Sequence, residues 1–173
     1  PLYPVIVRAT ALSLLSAYPG DETSKAFEIA LGDEEALIRR TAVDHINVSD
    51  PKRQTAILTS MLYDPVKSVR IEAARRMTEL ADPPLDDAQK LVFQSSLDEY
   101  QKSMEYSADF AFGRYNLGNL YAALRRLERA VESYLAAIKI DNLFYPAKVN
   151  LAMLYNQTGK NDKAEILLRE VAT

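Results

Sequence analysis

Apolar residues recur every three to four positions along most of the chain, which is the spacing of one face of an α-helix. In the first half this pattern predicts five helices, and a longer one follows them. The predicted helices cover about residues 5–18, 22–31, 35–47, 51–62, 66–81 and 86–106. The sequence therefore predicts an all-α fold.

A repeat with a period of 31 residues runs through the first half. An aliphatic residue followed by Arg, with Ala three positions later, occurs at Arg8, Arg39 and Arg70. Other apolar positions in the same register are Leu12, Val43 and Ala74, then Leu15, Ile46 and Met77. Such a period predicts stacked helical hairpins, each with one apolar face.

Aspartates mark the expected starts of several helices. Asp33 and Asp64 occupy the same repeat position, and Pro follows Asp in Asp64-Pro65 and Asp50-Pro51. An Asp side chain can accept hydrogen bonds from free backbone N–H groups, and Pro suits the first helical position. Helices are therefore predicted to begin directly after these aspartates.

Residues 1–81 resemble the short bacterial HEAT-like repeat, a helical hairpin with an Asp-containing turn before a Val-Arg-x-x-Ala helix. In this alignment the helix at 5–18 is the second of a pair, and its first helix is missing. The chain also begins with Pro1 rather than Met. We therefore expect the sequence to be part of a longer protein.

A second period, of 34 residues, follows the break at Pro83-Pro84. Leu117-Gly118-x-x-Tyr121 recurs as Leu151-Ala152-x-x-Tyr155, with Ala130 and Ala164 in register on the second helices. Residues 111–173 thus resemble the tetratricopeptide repeat (TPR), in which small residues let two helices approach closely. Two turn positions depart from that family, because Arg125 stands where Gly159 stands and Asn142 where Pro is common.

The two periods predict three segments. Residues 1–82 form HEAT-like repeats, 83–110 a Pro-Pro break with a connecting helix, and 111–173 two TPR-like repeats. The expected architecture is a right-handed α–α superhelix, that is, a solenoid of helical hairpins.

The TPR resemblance implies a concave groove lined by the first helix of each pair, where a peptide can bind. The candidate groove residues are Phe112, Tyr115, Asn119, Val149, Asn150 and Met153. Asn amides can pair with a ligand's backbone. Alternatively, Asn119 and Asn150 are consensus residues that tie neighbouring helices together. Gripping of a C-terminal carboxylate is disfavoured, because Tyr115 stands where such family members carry Lys.

Two other features have functional and structural interpretations. The arginines at 8, 39 and 70 could form a basic row for an acidic partner, but such side chains more often pair with an acid of the adjoining turn. His45 is the single histidine. A single His without Cys is a weak metal or catalytic candidate.

Composition excludes several classes of function. The net charge is −3 and there is no Cys, so nucleic-acid binding, disulfides and Cys-ligated metals are not expected. No apolar window is long enough to span a bilayer. No nucleophile elbow or Gly-rich phosphate loop occurs, so the chain is not expected to be an enzyme.

The order of elements resembles the C-terminal portion of bacterial multihaem c-type cytochromes, and the segments 64–75 and 147–152 resemble them most. This resemblance implies an exported, periplasmic parent protein whose haem-bearing part precedes Pro1. No cofactor is expected within the residues given.

The leading hypothesis is a non-catalytic scaffold that binds a peptide or partner domain in the concave groove. The alternative is a structural assembly element, which packs on its own missing N-terminal domain or forms a homodimer through the C-terminal repeat. An apolar edge at Ile166, Leu167 and Val171 motivates the dimer.

Overall fold

The computed structural model describes residues 2–80 and 83–172. Within these ranges the chain forms ten α-helices and no strand, which confirms the predicted all-α repeat architecture. The helices are α1 (Val5–Leu15), α2 (Asp21–Ala30), α3 (Ala36–His45), α4 (Pro51–Met61), α5 (Lys67–Met77), α6 (Asp87–Tyr106), α7 (Ala111–Ala123), α8 (Leu127–Ile140), α9 (Tyr145–Gln157) and α10 (Asn161–Ala172). None of the helices in the described ranges is both long and apolar enough to cross a membrane.

The chain divides into two compact units, Pro1–Tyr100 and Gln101–Thr173, with the division inside α6. In the first unit α3 packs against α1, α2 and α5, and α4 packs against α5. In the second unit each helix from α7 to α10 packs against the next. The three segments predicted from the repeat periods, 1–82, 83–110 and 111–173, stay a prediction.

Two helices are shorter than predicted. After α1 the chain tightens into turns, in which the amides of Ala17 and Tyr18 donate to carbonyls three residues earlier. The same bonds follow α5, at Glu79 and Leu80. This tightening is the usual way in which a helix end satisfies its last carbonyls. The predicted end of the fifth helix at residue 81 lies outside the described residues.

The predicted helix start is confirmed at Asp50 but wrong at Asp33 and Asp64. Asp33 accepts from the amide of Glu35 at 2.9 Å, and α3 begins only at Ala36. Asp50 accepts from the amide of Lys52 at 3.0 Å, and α4 begins at the following proline. Asp64 Oδ1 instead accepts from the amide of Val66 at 2.7 Å, and α5 begins one residue later. The other Asp64 oxygen binds Arg39 at 2.6 Å, so this carboxylate is held in a turn ahead of the helix.

Arg39 joins two successive turns of the first unit. Its Nε and Nη2 donate to the two carboxylate oxygens of Asp64, at 2.6 and 3.0 Å. Its Nη1 donates to the carbonyls of Asp33 and Glu34, both at 2.9 Å. Because Arg39 and Asp64 are both largely buried, this forked pair is a fixed part of the scaffold.

The other two arginines of the 31-residue series are held in the same way. Arg8 donates to the carboxylate of Asp33 in the next repeat. Arg70 donates to Glu99 on α6 at 2.8 and 3.1 Å, and to the carbonyls of its own preceding turn. The structural interpretation of the arginine series is thereby confirmed, since all three guanidinium groups are engaged within the first unit.

The second unit depends on one very close approach between helices. A Cβ atom at Gly118 would lie 2.5 Å from two ring carbons of Tyr134, so the glycine makes room for the tyrosine. Small residues also occupy half of the buried positions in this core, beside larger ones such as Leu151 and Tyr155. The buried alanines of this core are Ala111, Ala130, Ala137, Ala147, Ala152 and Ala164. This packing is what the 34-residue period predicts.

The turns after α7 and α9 have the same geometry although their sequences differ. Gly159 has φ +74°, and Arg125 at the same repeat position has φ +57°. The amide that follows each of them donates to a carbonyl five residues earlier, from Arg126 to Tyr121 and from Lys160 to Tyr155, both at 2.8 Å. Arg125 therefore adopts a left-handed conformation that suits glycine better.

Candidate functional site

The six predicted groove residues lie on two helices of the second unit. Phe112, Tyr115 and Asn119 belong to α7, and Val149, Asn150 and Met153 belong to α9. Phe112 and Met153 are 48% and 55% exposed, whereas the other four are half-buried. Below, the surface formed by these six residues is called the α7–α9 face.

Tyr115, Asn119 and Asn150 form one hydrogen-bonded cluster. Asn150 Nδ2 donates to Asn119 Oδ1 at 2.8 Å and to the hydroxyl of Tyr115 at 3.3 Å. These bonds connect the first helices of the two TPR-like pairs directly. The structure thus places both asparagines where they tie neighbouring helices, as the structural alternative predicts.

Tyr134 on α8 is the fourth member of the cluster. Its hydroxyl donates to Asn119 Oδ1 at 2.8 Å, so this oxygen accepts two hydrogen bonds. Burial raises the pKa of Tyr134 to about 12. The hydroxyl therefore keeps its proton at neutral pH and acts as a donor that fixes the orientation of the Asn119 amide.

The cluster leaves one donor and one acceptor unused. Within residues 2–80 and 83–172, no hydrogen bond involves Asn119 Nδ2 or Asn150 Oδ1. Neither atom is among the buried polar atoms that lack a partner. Neither atom is therefore fully buried, and the α7–α9 face holds an amide N–H group and an amide oxygen whose orientations are set by the bonds of the cluster.

Aromatic rings support the cluster on one side. The Tyr115 ring packs against Tyr134 with centroids 6.1 Å apart and meets Phe144 edge-on at 5.4 Å. The sequence analysis did not include Phe144 in the site. A signal for it exists, because Phe144 lies one 34-residue period after Phe110, which stacks on Phe112 at 5.8 Å.

His45 lines two clefts in the first unit, with volumes of about 260 and 330 Å³. Its Nε2 lies 2.8 Å from Ser13 Oγ and 3.9 Å from the carboxylate of Asp44. In a nucleophilic triad the acid binds the nitrogen that does not face the hydroxyl. Here Asp44 approaches the same nitrogen and pairs with Arg75 at 2.6 Å, so the arrangement lacks the geometry of a triad.

No metal-binding cluster of His, Asp and Glu occurs among the residues that the structure describes. Buried charge in the second unit is also accounted for. Lys148, only 3% exposed, donates to Glu170 at 2.7 Å and so ties α9 to α10. The α7–α9 face is therefore the best candidate surface of the second unit.

Comparison with known families agrees with the helical repeat fold. The family model of the tetratricopeptide repeat matches residues 113–142 and 145–173, about a third of the chain. A search of curated proteins found no match. The protein is a helical repeat protein. More particularly it is TPR-like, with the matched repeats formed by α7–α8 and α9–α10. The HEAT-like and cytochrome resemblances stay predictions.

Proposed function

We propose that this protein is a non-catalytic scaffold that binds an extended peptide segment of a partner protein on the α7–α9 face. TPR repeats are in general protein–protein interaction modules, and two of them form the second unit. The observation that carries the proposal is the amide pair of Asn119 and Asn150, which is fixed in place yet has one donor and one acceptor free.

An extended peptide offers one backbone N–H and one C=O group per residue. The free N–H of Asn119 suits a peptide carbonyl, and the free oxygen of Asn150 suits a peptide amide. Because Tyr134 and Tyr115 already hold the two asparagines, little side-chain freedom is lost when a peptide binds. Such contacts hold a peptide without selecting its sequence.

We expect the apolar side chains beside the two amides to determine which peptides bind. Phe112 and Met153 are 48% and 55% exposed although both are large and apolar. A ligand side chain that covers them removes apolar surface from water, and Met adapts its shape to different partners. We therefore expect the preferred peptides to carry apolar or aromatic side chains.

The test is selection of peptides from a random library on the full chain, followed by affinity measurements with variants. The double variant Phe112→Ala plus Met153→Ala is expected to weaken the selected peptides about tenfold or more. Both side chains are exposed, so the substitutions should leave the fold intact. Circular dichroism checks this point.

Leu135→Ala is the matched control, since Leu135 is on α8 and 47% exposed, nearly the same as Phe112. It should leave the affinity unchanged. Selected peptides that bind the double variant as tightly as the native chain would refute a site on the α7–α9 face.

A second function, assembly through the last helix, is favoured by one observation. Leu168 on α10 is 42% exposed, whereas Tyr134 at the same repeat position is 3% exposed. Ile166 on the same helix is 59% exposed. Pairing of two copies through α10 would cover these side chains, and a C₂ dimer is the commonest closed arrangement.

Light scattering after size exclusion distinguishes the two functions. If α10 mediates assembly, the native chain is a dimer at high concentration and Leu168→Asp is a monomer. A native chain that stays monomeric throughout the concentration series would rule out this second function and leave the peptide site unaffected.

The resemblance to multihaem c-type cytochromes supports a further proposal, that the parent protein is exported to the periplasm. Fractionation of the source cells tests it, because an exported protein is recovered with periplasmic markers. Recovery in the cytoplasmic fraction would overturn the proposal without affecting the scaffold function.

A further inference from the structure

The turns that follow α7 and α9, with the first residues of the next helices, carry a group of exposed basic side chains. Arg126 in the first turn corresponds to Lys160 in the second, one 34-residue period later. Arg129 corresponds in the same way to Lys163. Together with Arg125 they form a surface called the basic edge below: Arg125, Arg126, Arg129, Lys160 and Lys163.

Both turns of the basic edge lie at the same end of the second unit. Short turns, at residues 124–126 and 141–144, join α7 to α8 and α8 to α9. Helices that pack together across such turns are antiparallel, so α7 and α9 run in the same direction. The hydrogen bond between Asn150 and Asn119 makes α7 and α9 neighbours, and packed helices lie about 8–10 Å apart. The basic edge is therefore one continuous surface.

Aromatic rings position three of the five cations. The guanidinium of Arg129 lies 5.8 Å from the centre of the Tyr121 ring. The ammonium groups of Lys160 and Lys163 lie 5.9 and 5.7 Å from the centre of the Tyr155 ring, which is the equivalent tyrosine. A ring face attracts a cation without neutralising its charge. These side chains are thus held near the surface with their charge still available.

No salt bridge neutralises the basic edge within residues 2–80 and 83–172, because the salt bridges of the second unit join other residues. In the first unit Arg8, Arg39 and Arg70 each bind a carboxylate. Glu128 and Asp162 are the acidic residues interspersed in the basic edge. Two carboxylates against five cations leave this surface positive, although the chain as a whole has a net charge of −3.

We propose that the basic edge binds an acidic, extended segment of a partner protein. Exposed cations that are grouped and unpaired attract carboxylates and set the orientation in which a partner docks. A long polyanion such as nucleic acid is a poorer fit, since it would also meet the negative charge carried by the rest of the chain.

The separation of the two turns sets the spacing of the acidic residues. An extended chain advances about 3.3 Å per residue, so acidic side chains three residues apart span roughly the 8–10 Å between packed helices. The basic edge contains none of the residues of the α7–α9 face. This proposal therefore stands or falls separately from the peptide site proposed above.

The probe is a short labelled peptide with Glu at every third position and Ser between. Its binding to the full chain is followed by fluorescence anisotropy at low ionic strength. The matched peptide with Gln in place of Glu should bind at least about tenfold more weakly. Binding of the Glu peptide should also weaken as salt is added, because exposed charges are screened. Equal binding of the two peptides, or no binding of the Glu peptide, would overturn the proposal.

Variants of the chain locate the site. Lys160→Gln plus Lys163→Gln should weaken binding of the Glu peptide about tenfold, with circular dichroism to check the fold. Lys102→Gln plus Lys139→Gln is the matched control, since it removes the same charge from exposed positions of the second unit outside the basic edge. An equal loss in both double variants would overturn the proposal by showing attraction to net charge alone. Tighter binding of a single-stranded DNA of the same charge would overturn it too, because the partner would then be a nucleic acid.

Discussion

Asn150 Nδ2 donates a hydrogen bond to Asn119 Oδ1 over 2.8 Å and thereby joins α9 to α7. The bond gives the two asparagines a structural role, and the proposed binding role would use the amide atoms that the bond leaves free. It holds the repeats in register, and it orients the two amide atoms that remain free. The following predictions separate stability from binding at this and other positions.

Replacing Asn119 should loosen the second unit. In Asn119→Ala the hydroxyl of Tyr134 loses its acceptor and Nδ2 of Asn150 keeps only the Tyr115 hydroxyl, at a cost of about 1–3 kcal/mol. Native-state hydrogen exchange of amides in α7 and α9 measures the loss. Asn156→Ala is the control on an exposed position of α9, and an equal loss there would contradict the role assigned to Asn119.

A methyl group at Gly118 should force α7 away from Tyr134. Gly118→Ala is expected to lower the stability of the second unit by about 1–3 kcal/mol, since the hydrogen bond to Asn119 and the Tyr115 ring restrict movement of the Tyr134 ring. Thermal unfolding followed by circular dichroism measures the change. Gly20→Ala is the matched control, because nothing lies within 4 Å of its added Cβ. Similar melting of Gly118→Ala and the native chain would contradict the close approach.

The turns at Arg125 and Gly159 can be tested with two opposite substitutions. Arg125→Gly should stabilise the second unit by about 1 kcal/mol, because glycine adopts a positive φ without steric cost. Gly159→Arg should destabilise it by a similar amount, about 1 kcal/mol. Urea unfolding of the two variants measures both effects. A change of the same sign in both variants would show that the turns do not share one backbone geometry.

The Arg39–Asp64 pair should make the first unit sensitive to acid. Burial works to raise the pKa of Asp64, but hydrogen bonds from Arg39 and the Val66 amide outweigh it and hold the pKa below the usual 3.8. A carboxyl whose pKa is lower in the folded chain stabilises the fold above its unfolded pKa. That contribution is lost as the pH falls through the lower, folded value.

Urea unfolding between pH 2 and 7 tests this linkage on Asp64→Asn. The native chain should exceed the variant in stability at neutral pH, and the difference should shrink below about pH 4. Asp109→Asn is the control at an exposed position. If the difference in unfolding free energy between the native chain and Asp64→Asn stays constant down to pH 2, the proposed link between Asp64 ionisation and stability is excluded.

The repeat periods were enough to predict the fold, because packing positions recur at fixed spacing. The 31-residue arginine series and the close helix approach at Gly118 follow directly from such spacing, but only the structure shows that Tyr134 is the residue that Gly118 admits. The start of α5 could not be predicted from the spacing. Arg39 of the preceding repeat binds Asp64, and a tertiary contact of this kind leaves no local signal in the sequence. The edge contact of Phe144 with Tyr115 was also missed, although Phe144 lies one 34-residue period after Phe110.

The residues of the candidate site come from the sequence and stay a prediction, and their arrangement could not be predicted. Sequence register places Asn119 and Asn150 on first helices, whereas only the structure shows that they bond to each other. It also shows which amide atoms stay available. That distinction depends on side-chain rotamers, which the 34-residue period does not determine.

The measurement that tests the central claim most directly is a titration of the ¹⁵N-labelled chain with a library-selected peptide, followed by amide NMR. Binding on the α7–α9 face should shift the side-chain NH₂ resonances of Asn119, along with backbone amides of α7 and α9. Saturating peptide that leaves these resonances in place and shifts only α8, α10 or the first unit would contradict the account.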